Sequence, residues 1–343
     1  MANTLNFGAG KWAAKAGSVL AYNSENNNFK PLPFTFTRAS SATRVNESGL
    51  IESVGSGIPR IDFLNNADGH LLLEPSRTNL VTYSQALSNW TQDGTSTEDN
   101  NAISPDGTQN ASKVTFSSGN KRIYSNVSTT SGIFTGYFKG IAGQVIRFRD
   151  NSNTTYNDIT LTDTWVRYEF AKITSNTNIQ IQSIDADYVY AWGIQAEEAT
   201  YATSYIPTSG SSVTRVADVD SKATDEGNII DSAKAIYVEF DELGTNRAER
   251  RHILQLSGGT GSTVYARTES SGTLTIQVLN ASLNQALFQT ISYNTTGNNK
   301  IAIIFDTNDI MVYLNGVQVG SDTSATIPTL SRMYIGISDT GTI

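Results

Sequence analysis

A chain of 343 residues with a formal net charge of -8 and no cysteine has no disulfide framework, thiolate metal site or cysteine nucleophile. Its charge disfavours a nucleic-acid partner, whose affinity rests on Lys and Arg neutralising phosphates. No window approaches the roughly 18 apolar residues of a membrane span, and Met1-Ala-Asn-Thr-Leu-Asn-Phe7 lacks the basic and apolar stretches of a signal peptide. Abundant Ser, Thr, Asn and Gly with 15 Tyr predict short strands joined by turns. The length predicts two domains plus an attachment segment.

Residues 1–80 carry only short strand-like pieces, Phe34-Thr-Phe-Thr-Arg38, Gly49-Leu-Ile-Glu-Ser53 and Leu71-Leu-Leu-Glu74, and a weak helical turn at Trp12-Ala-Ala-Lys-Ala16. With little periodic apolar surface, this stretch reads as an irregular docking arm. Over 81–208 the pattern alternates with period two: Lys113–Ser117, Ser131–Lys139, Gln144–Arg149, Trp165–Phe170, Asn178–Gln182 and Asp187–Gln195. Strands so closely spaced predict a β-sandwich rather than βαβ units. Residues 209–233, poor in large apolar side chains, read as a linker. Over 234–343, Ala235–Phe240, Ile253–Leu256, Thr263–Arg267, Thr273–Val278 and Lys300–Phe305 predict a second sandwich. Ile310-Met-Val-Tyr-Leu-Asn315-Gly316-Val-Gln-Val-Gly320 predicts a hairpin, since Asn-Gly supplies the positive φ values of a type I′ turn. The last strand, Met333–Ile337, is followed by only six residues, which predicts that the chain continues or that another chain closes the sheet edge.

Phe36-Thr-Arg-Ala-Ser-Ser-Ala-Thr-Arg-Val-Asn46, Gly49-Leu-Ile-Glu52, Pro59-Arg-Ile-Asp-Phe63 and Leu72-Leu-Glu-Pro-Ser-Arg-Thr-Asn-Leu80 resemble the N-terminal module of many bacteriophage tail-fibre and structural proteins. Tyr190-Ala-Trp-Gly-Ile-Gln-Ala-Glu197, Tyr201-Ala-Thr-Ser-Tyr-Ile-Pro-Thr208 and Val213-Thr-Arg-Val-Ala-Asp218 are similar to the end of the carbohydrate-binding-like jelly roll that follows it there. Residues 234–343 resemble the concanavalin A-like or laminin-G sandwich, which normally carries another strand or two at its end. The resemblance implies an all-β protein with two tandem antiparallel jelly-roll β-sandwiches after the docking segment. It also implies a virion location, other virion proteins and further copies of this chain as partners (a homotrimer), and a host-surface glycan as the ligand class. A purely architectural virion protein, such as a head fibre or adaptor, and a glucanase-type depolymerase remain as alternatives.

The residues themselves assign no catalytic, metal or cofactor site. His70 and His252 are the only histidines, too far apart for a paired-His motif, and no Gly-x-Ser-x-Gly elbow occurs. Glu239 and Asp241 have the i, i+2 spacing of glucanase carboxylates, but Gly244 stands where that family has a third acid. These, like Asp185 and Asp187, read as solvent-facing strand carboxylates. Asp306, Asn308 and Asp309 offer oxygen ligands for calcium, yet they are also ordinary turn residues. Gly258-Gly-Thr-Gly-Ser262 lacks the Lys and helix of a phosphate cradle and reads as a strand connection. Trp90, Trp165, Trp192, Tyr137, Tyr188 and Tyr190 are the aromatic candidates for sugar stacking. Alternation places Tyr188, Tyr190, Trp192 and Ile194 on one face and Trp165 at the head of an alternating strand, so these read as core; Trp90, in the loop-like stretch Ser88–Gln92, reads as a plug at the sandwich end. Arg38, Arg44, Arg60 and Arg77, in a segment with little core, read as a docking interface to neighbouring chains.

Overall fold

The computed structural model describes residues 5–6, 11–23, 26–32, 34–117, 119–127, 129, 131–151, 156–172, 178–221, 223–224, 234–242, 250–259 and 261–336. Apart from one 3₁₀ turn at Leu87–Asn89, every regular element among them is a strand. The chain forms two compact units: residues 39–56 with 60–217, and residues 1–38 with 57–59 and 218–343.

The first unit is a sandwich of two antiparallel five-stranded sheets. One runs Thr91–Asp93, Arg122–Asn126, Asn178–Ser183, Val145–Arg149, Tyr156–Thr160; the other runs Thr95–Ile103, Gln109–Phe116, Tyr188–Glu197, Gly132–Gly140, Val166–Lys172. Alternating apolar residues meet between them: Ile123, Ile146, Phe148, Ile179 and Ile181 from the first sheet, Val114, Phe134, Phe138, Val189 and Ala191 from the second. Phe148 stacks edge-on against Phe138 and Phe170 with centroids 5.1 and 5.0 Å apart, an arrangement worth more than its buried area alone.

A bulge shifts the phase of Tyr188–Glu197. Thr135 pairs with Gln195 but Tyr137 with Trp192, and Gly193 takes a φ of 63°, which glycine adopts without a Cβ penalty. Val189 and Ala191 before the bulge, and Ile194 and Ala196 after it, all enter the core. Tyr188, Tyr190 and Trp192 are thrown to the outer face, so the single-face alternation expected from the sequence does not hold.

Residues expected to form a docking arm are part of this unit. The hairpins Ala42–Val45/Ile51–Val54 and Arg60–Asp62/His70–Leu72 belong to it, and Arg77–Asn79 pairs with Val213–Arg215. Ile51 and Tyr205 cover Trp192 and Ala111 on the outer face of the second sheet, which is why that apolar patch is dry.

In the second unit a six-stranded sheet runs Ala223–Thr224, Arg332–Ile335, Arg251–Gly259, Ser262–Thr268, Thr273–Asn280, Leu283–Ser292, and a four-stranded sheet runs Ala235–Phe240, Asn299–Asp306, Asp309–Leu314, Val317–Asp322. Leu256, Val264, Ile276 and Val278 of one, and Ile301, Ile303, Phe305 and Val312 of the other, are buried. Asn315 and Gly316 take φ of 50° and 83°, the type I′ turn expected. The stretch 209–233 is no plain linker: it supplies Val213–Arg215, Val219–Ser221, which pairs with Thr35–Thr37, and Ala223–Thr224, which pairs with the outer edge of Arg332–Ile335. Arg332 and Met333 of that edge are therefore paired within the chain. Trp12–Lys15 is a strand against Ser18–Asn23, not a helical turn; the rest of the predicted last strand, Ile337, lies outside the described residues.

Candidate functional site: the open face of a five-stranded sheet

The sheet containing Arg122–Asn126 presents two rows of planar polar side chains on the face away from the core. Alternation dictates this: with Ile123, Ile146, Phe148, Ile179 and Ile181 inward, their strand neighbours point out. In register, one row reads Asp93, Arg122, Gln182, Arg147, Asp158 and the next Thr91, Tyr124, Gln180, Arg149, Tyr156.

Arg147 grips Asp158 with two bonds, Nε to Oδ1 at 2.6 Å and Nη2 to Oδ2 at 2.9 Å, and its guanidinium lies 3.9 Å from the Tyr156 ring centroid. The hydrogen bond to Asp158 raises the Arg147 pKa, and the same bond holds the Asp158 carboxyl below its ordinary value. Arg122 Nε donates to Asp93 Oδ2 at 3.1 Å, and Asp93 is held low first by Asn120, then by Arg122. Arg149 donates to Gln182 Oε1 at 3.1 Å and to the Asp150 carbonyl at 2.8 Å. Burial, followed by the neighbouring charges of Arg147 and Arg122, lowers its pKa. Gln180 donates to Asn151 and Asn178, while its buried Oε1 accepts no hydrogen bond. The first row is thus a part-exposed, pre-ordered array of donors and acceptors, whereas in the second Gln180 and Arg149 are buried between Tyr124 and the exposed Tyr156. Arg–carboxylate pairs offer adjacent donor and acceptor atoms in one plane, the pattern that vicinal hydroxyls match.

Sequence reading missed these residues because it followed the apolar positions of each strand. The usable signal was the polar set at i, i+2: Arg122/Tyr124, Arg147/Arg149, Tyr156/Asp158 and Gln180/Gln182.

Among the aromatic candidates, Trp90 is core and donates Nε1 to the Tyr83 carbonyl at 2.9 Å. Trp192 is enclosed beside Tyr137 and Tyr205. Tyr188, Tyr190 and Trp165 are half-buried on the outer face of the other sheet.

The four arginines do not form a common docking surface. Arg38 is enclosed and bonds Asp218 Oδ1 at 2.8 Å. Arg60 is enclosed too, donating to Glu74 Oε2 at 2.8 Å, to the Thr43 carbonyl at 2.9 Å and to Ser204 Oγ at 2.8 Å. Both guanidinium groups are consumed within the chain, so neither reaches a partner. Arg44 pairs with Glu52, Nε to Oε1 at 2.6 Å, and reaches the Ile61 carbonyl. Arg77 lies over the Tyr201 ring, 5.2 Å from its centroid. Glu74 ties the N-terminal motif to the end of the jelly roll, because Arg215 Nη1 also donates to its Oε2 at 2.6 Å and Ser204 N to its Oε1 at 2.7 Å. Burial works to raise the Glu74 pKa, but Arg215, Arg60 and Ser204 outweigh it and hold it at about 2.

The carboxylates behave as strand and turn residues. Glu239, on an exposed strand, accepts from Tyr237 at 2.5 Å, which keeps its pKa below the ordinary value, the reverse of a general acid's requirement. Asp241 is exposed and caps the Glu242 amide. Asp185 and Asp187 accept from Val145 N and Gln144 Nε2. Asp306 pairs with Lys234 at 2.9 Å, and Asn308 holds a turn with φ of 59°. Gly258 and Ser262 flank a hairpin connection. His70 opens a strand after Gly69, with Nε2 3.6 Å from Asp62.

No family model matches the chain, and no curated protein does. Among solved structures it is similar to the mouse laminin alpha1 chain, domains LG4-5, at 11% identity over 64% of this chain and 80% of that one, with a TM-score of 0.26.

Proposed function

We propose that this chain is a bacteriophage virion protein, a tail fibre or tail-associated appendage, whose jelly roll attaches to host-surface glycan through the part-exposed row of the sheet formed by Arg122, Gln182, Arg147 and Asp158. The virion assignment is supported by the sequence motifs around Phe36–Asn46, Leu72–Leu80 and Tyr201–Thr208. The observation that carries attachment is the row Asp93, Arg122, Gln182, Arg147, Asp158: paired planar donors and acceptors in register across the sheet, where Arg147 and Asp158 are 28% and 40% exposed. Arg122 and Arg147 are each matched by a carboxylate, so the ligand is a neutral polyhydroxylated chain rather than an anion. A single such site binds weakly, and several copies on one appendage raise its avidity.

The test is calorimetric titration of the full chain with neutral oligosaccharides released from the host surface. Arg147→Ala removes a charge-assisted bond of about 1.5–3 kcal/mol and weakens binding at least tenfold, while Glu239→Gln leaves it unchanged. Unchanged binding by Arg147→Ala, or release of reducing sugar that depends on Glu239, contradicts the proposal.

A further inference from the structure

The outer face of the other sheet carries a different chemistry. Lys113, Tyr190 and Lys139 sit directly opposite one another on three adjacent strands. Lys139 Nζ lies 5.0 Å from the Trp165 ring centroid and 5.5 Å from that of Tyr190, and Lys113 Nζ lies 4.7 Å from that of Tyr188. Tyr188 and Tyr190 meet edge to face at 5.4 Å, and Trp165 Nε1 is fixed by the Ile103 carbonyl at 2.9 Å. The strip is half-buried rather than covered. Among the described residues neither ammonium has a carboxylate within ion-pair distance, whereas both exposed arginine pairs of the opposite sheet do. Glu98 stands directly opposite Lys113 on the neighbouring strand and offsets part of its charge, so Lys139, held over two aromatic rings, is the less compensated cation of the strip.

We infer that this strip is a second, separate site, and that its ligand is a carboxylate-bearing polysaccharide whose carboxylates meet Lys113 and Lys139 and whose sugars run beside Trp165 and Tyr190. The inference takes from the proposed function only that the chain meets polysaccharide. The two lysines are two strand spacings apart, about 9.6 Å, a step comparable to a disaccharide in an extended chain, so they address carboxylates on alternate sugars and do not converge on one group. A phosphate site gathers Arg forks or backbone amides around a single anion, and here the cations are spread and no helix N-terminus is present among the described residues of this sheet.

The full chain is titrated with oligogalacturonate, its methyl ester, inorganic phosphate and a single-stranded thymidine oligonucleotide, followed by calorimetry and tryptophan fluorescence at low and high salt. Oligogalacturonate binds and its ester, which gives up both charge-assisted contacts, binds about a hundredfold or more weakly. Lys113→Gln and Lys139→Gln each lose about tenfold, one contact apiece, and Trp165→Phe removes the fluorescence change. Arg147→Ala leaves acid binding intact, so this site and the neutral-glycan face fail independently. Equal binding of acid and ester, tighter binding of the oligonucleotide or of phosphate, or no binding of oligogalacturonate overturns the inference.

Discussion

Replacing Glu74 by Gln keeps the side chain's shape and removes the charge shared by two enclosed guanidinium groups, Arg60 and Arg215, whose side chains are 0% and 1% exposed. Two routes give the cost. Breaking a buried ion pair by removing one partner costs about 3–5 kcal/mol. Alternatively, a carboxyl lowered from 4.5 to about 2 contributes, at 1.36 kcal/mol per pH unit, about 3 kcal/mol. Since the folded value lies below the unfolded one, this stability is present above pH 4.5 and is lost as pH falls toward 2. Urea unfolding followed through the buried indoles of Trp90 and Trp192, in wild type and Glu74→Gln, measures both quantities. The variant loses about 3 kcal/mol at neutral pH and shows a flatter acid dependence. A loss below about 1 kcal/mol, the size of an exposed pair, or an acid slope identical to wild type, refutes the reasoning.

The second unit has the opposite pH dependence. Asp220 is 1% exposed, neither of its carboxylate oxygens has a hydrogen-bond partner, and burial raises its pKa from 3.8 to about 7. Its penalty is absent below 3.8 and grows to about 4 kcal/mol as pH rises through 7, so Asp220→Asn flattens that slope in thermal melts and is more stable than wild type at mildly alkaline pH; a less stable variant there contradicts this. Gly258→Ala places a Cβ 1.8 Å from the Thr329 carbonyl oxygen and costs about 1–3 kcal/mol or more by overpacking against backbone, read from its urea midpoint. Deleting residues 1–80 removes Ile51 from over Trp192 and Glu74 from Arg215, so circular dichroism melting of the remainder shows loss of the cooperative jelly-roll transition rather than an intact domain freed of an arm.

The strands with an apolar face were legible. Asn178–Ser183, Gly132–Gly140 and Asn299–Asp306 fall within a residue or two of the alternating runs that announce them. Thr95–Ile103 and Leu283–Ser292 were not, because much of their length is exposed and polar, leaving no period-two signal. The bulge at Gly193 was invisible because a strand's face cannot be counted through an unannounced extra residue. The role of Arg38 and Arg60 was misjudged for a different reason: their partners Asp218 and Glu74 are 180 and 14 residues away, and Glu74 only becomes a buried hub when Arg215 arrives from the far end of the jelly roll. A segment poor in apolar residues can still be ordered when its charges are satisfied internally, which is what the N-terminal motif does. The candidate face was present as polar i, i+2 pairs, but their alignment into rows depends on strand order, which joins Arg122–Asn126 to Asn178–Ser183 across more than fifty residues.

Competition for adsorption tests the central claim most directly. The purified chain is added to host cells before virions of the phage proposed to carry it, and adsorbed particles are counted. The account predicts dose-dependent protection by the wild-type chain and little or none by a chain carrying Arg122→Ala with Arg147→Ala, both folded by circular dichroism. Adsorption that is unchanged at saturating wild-type chain contradicts attachment through this jelly roll.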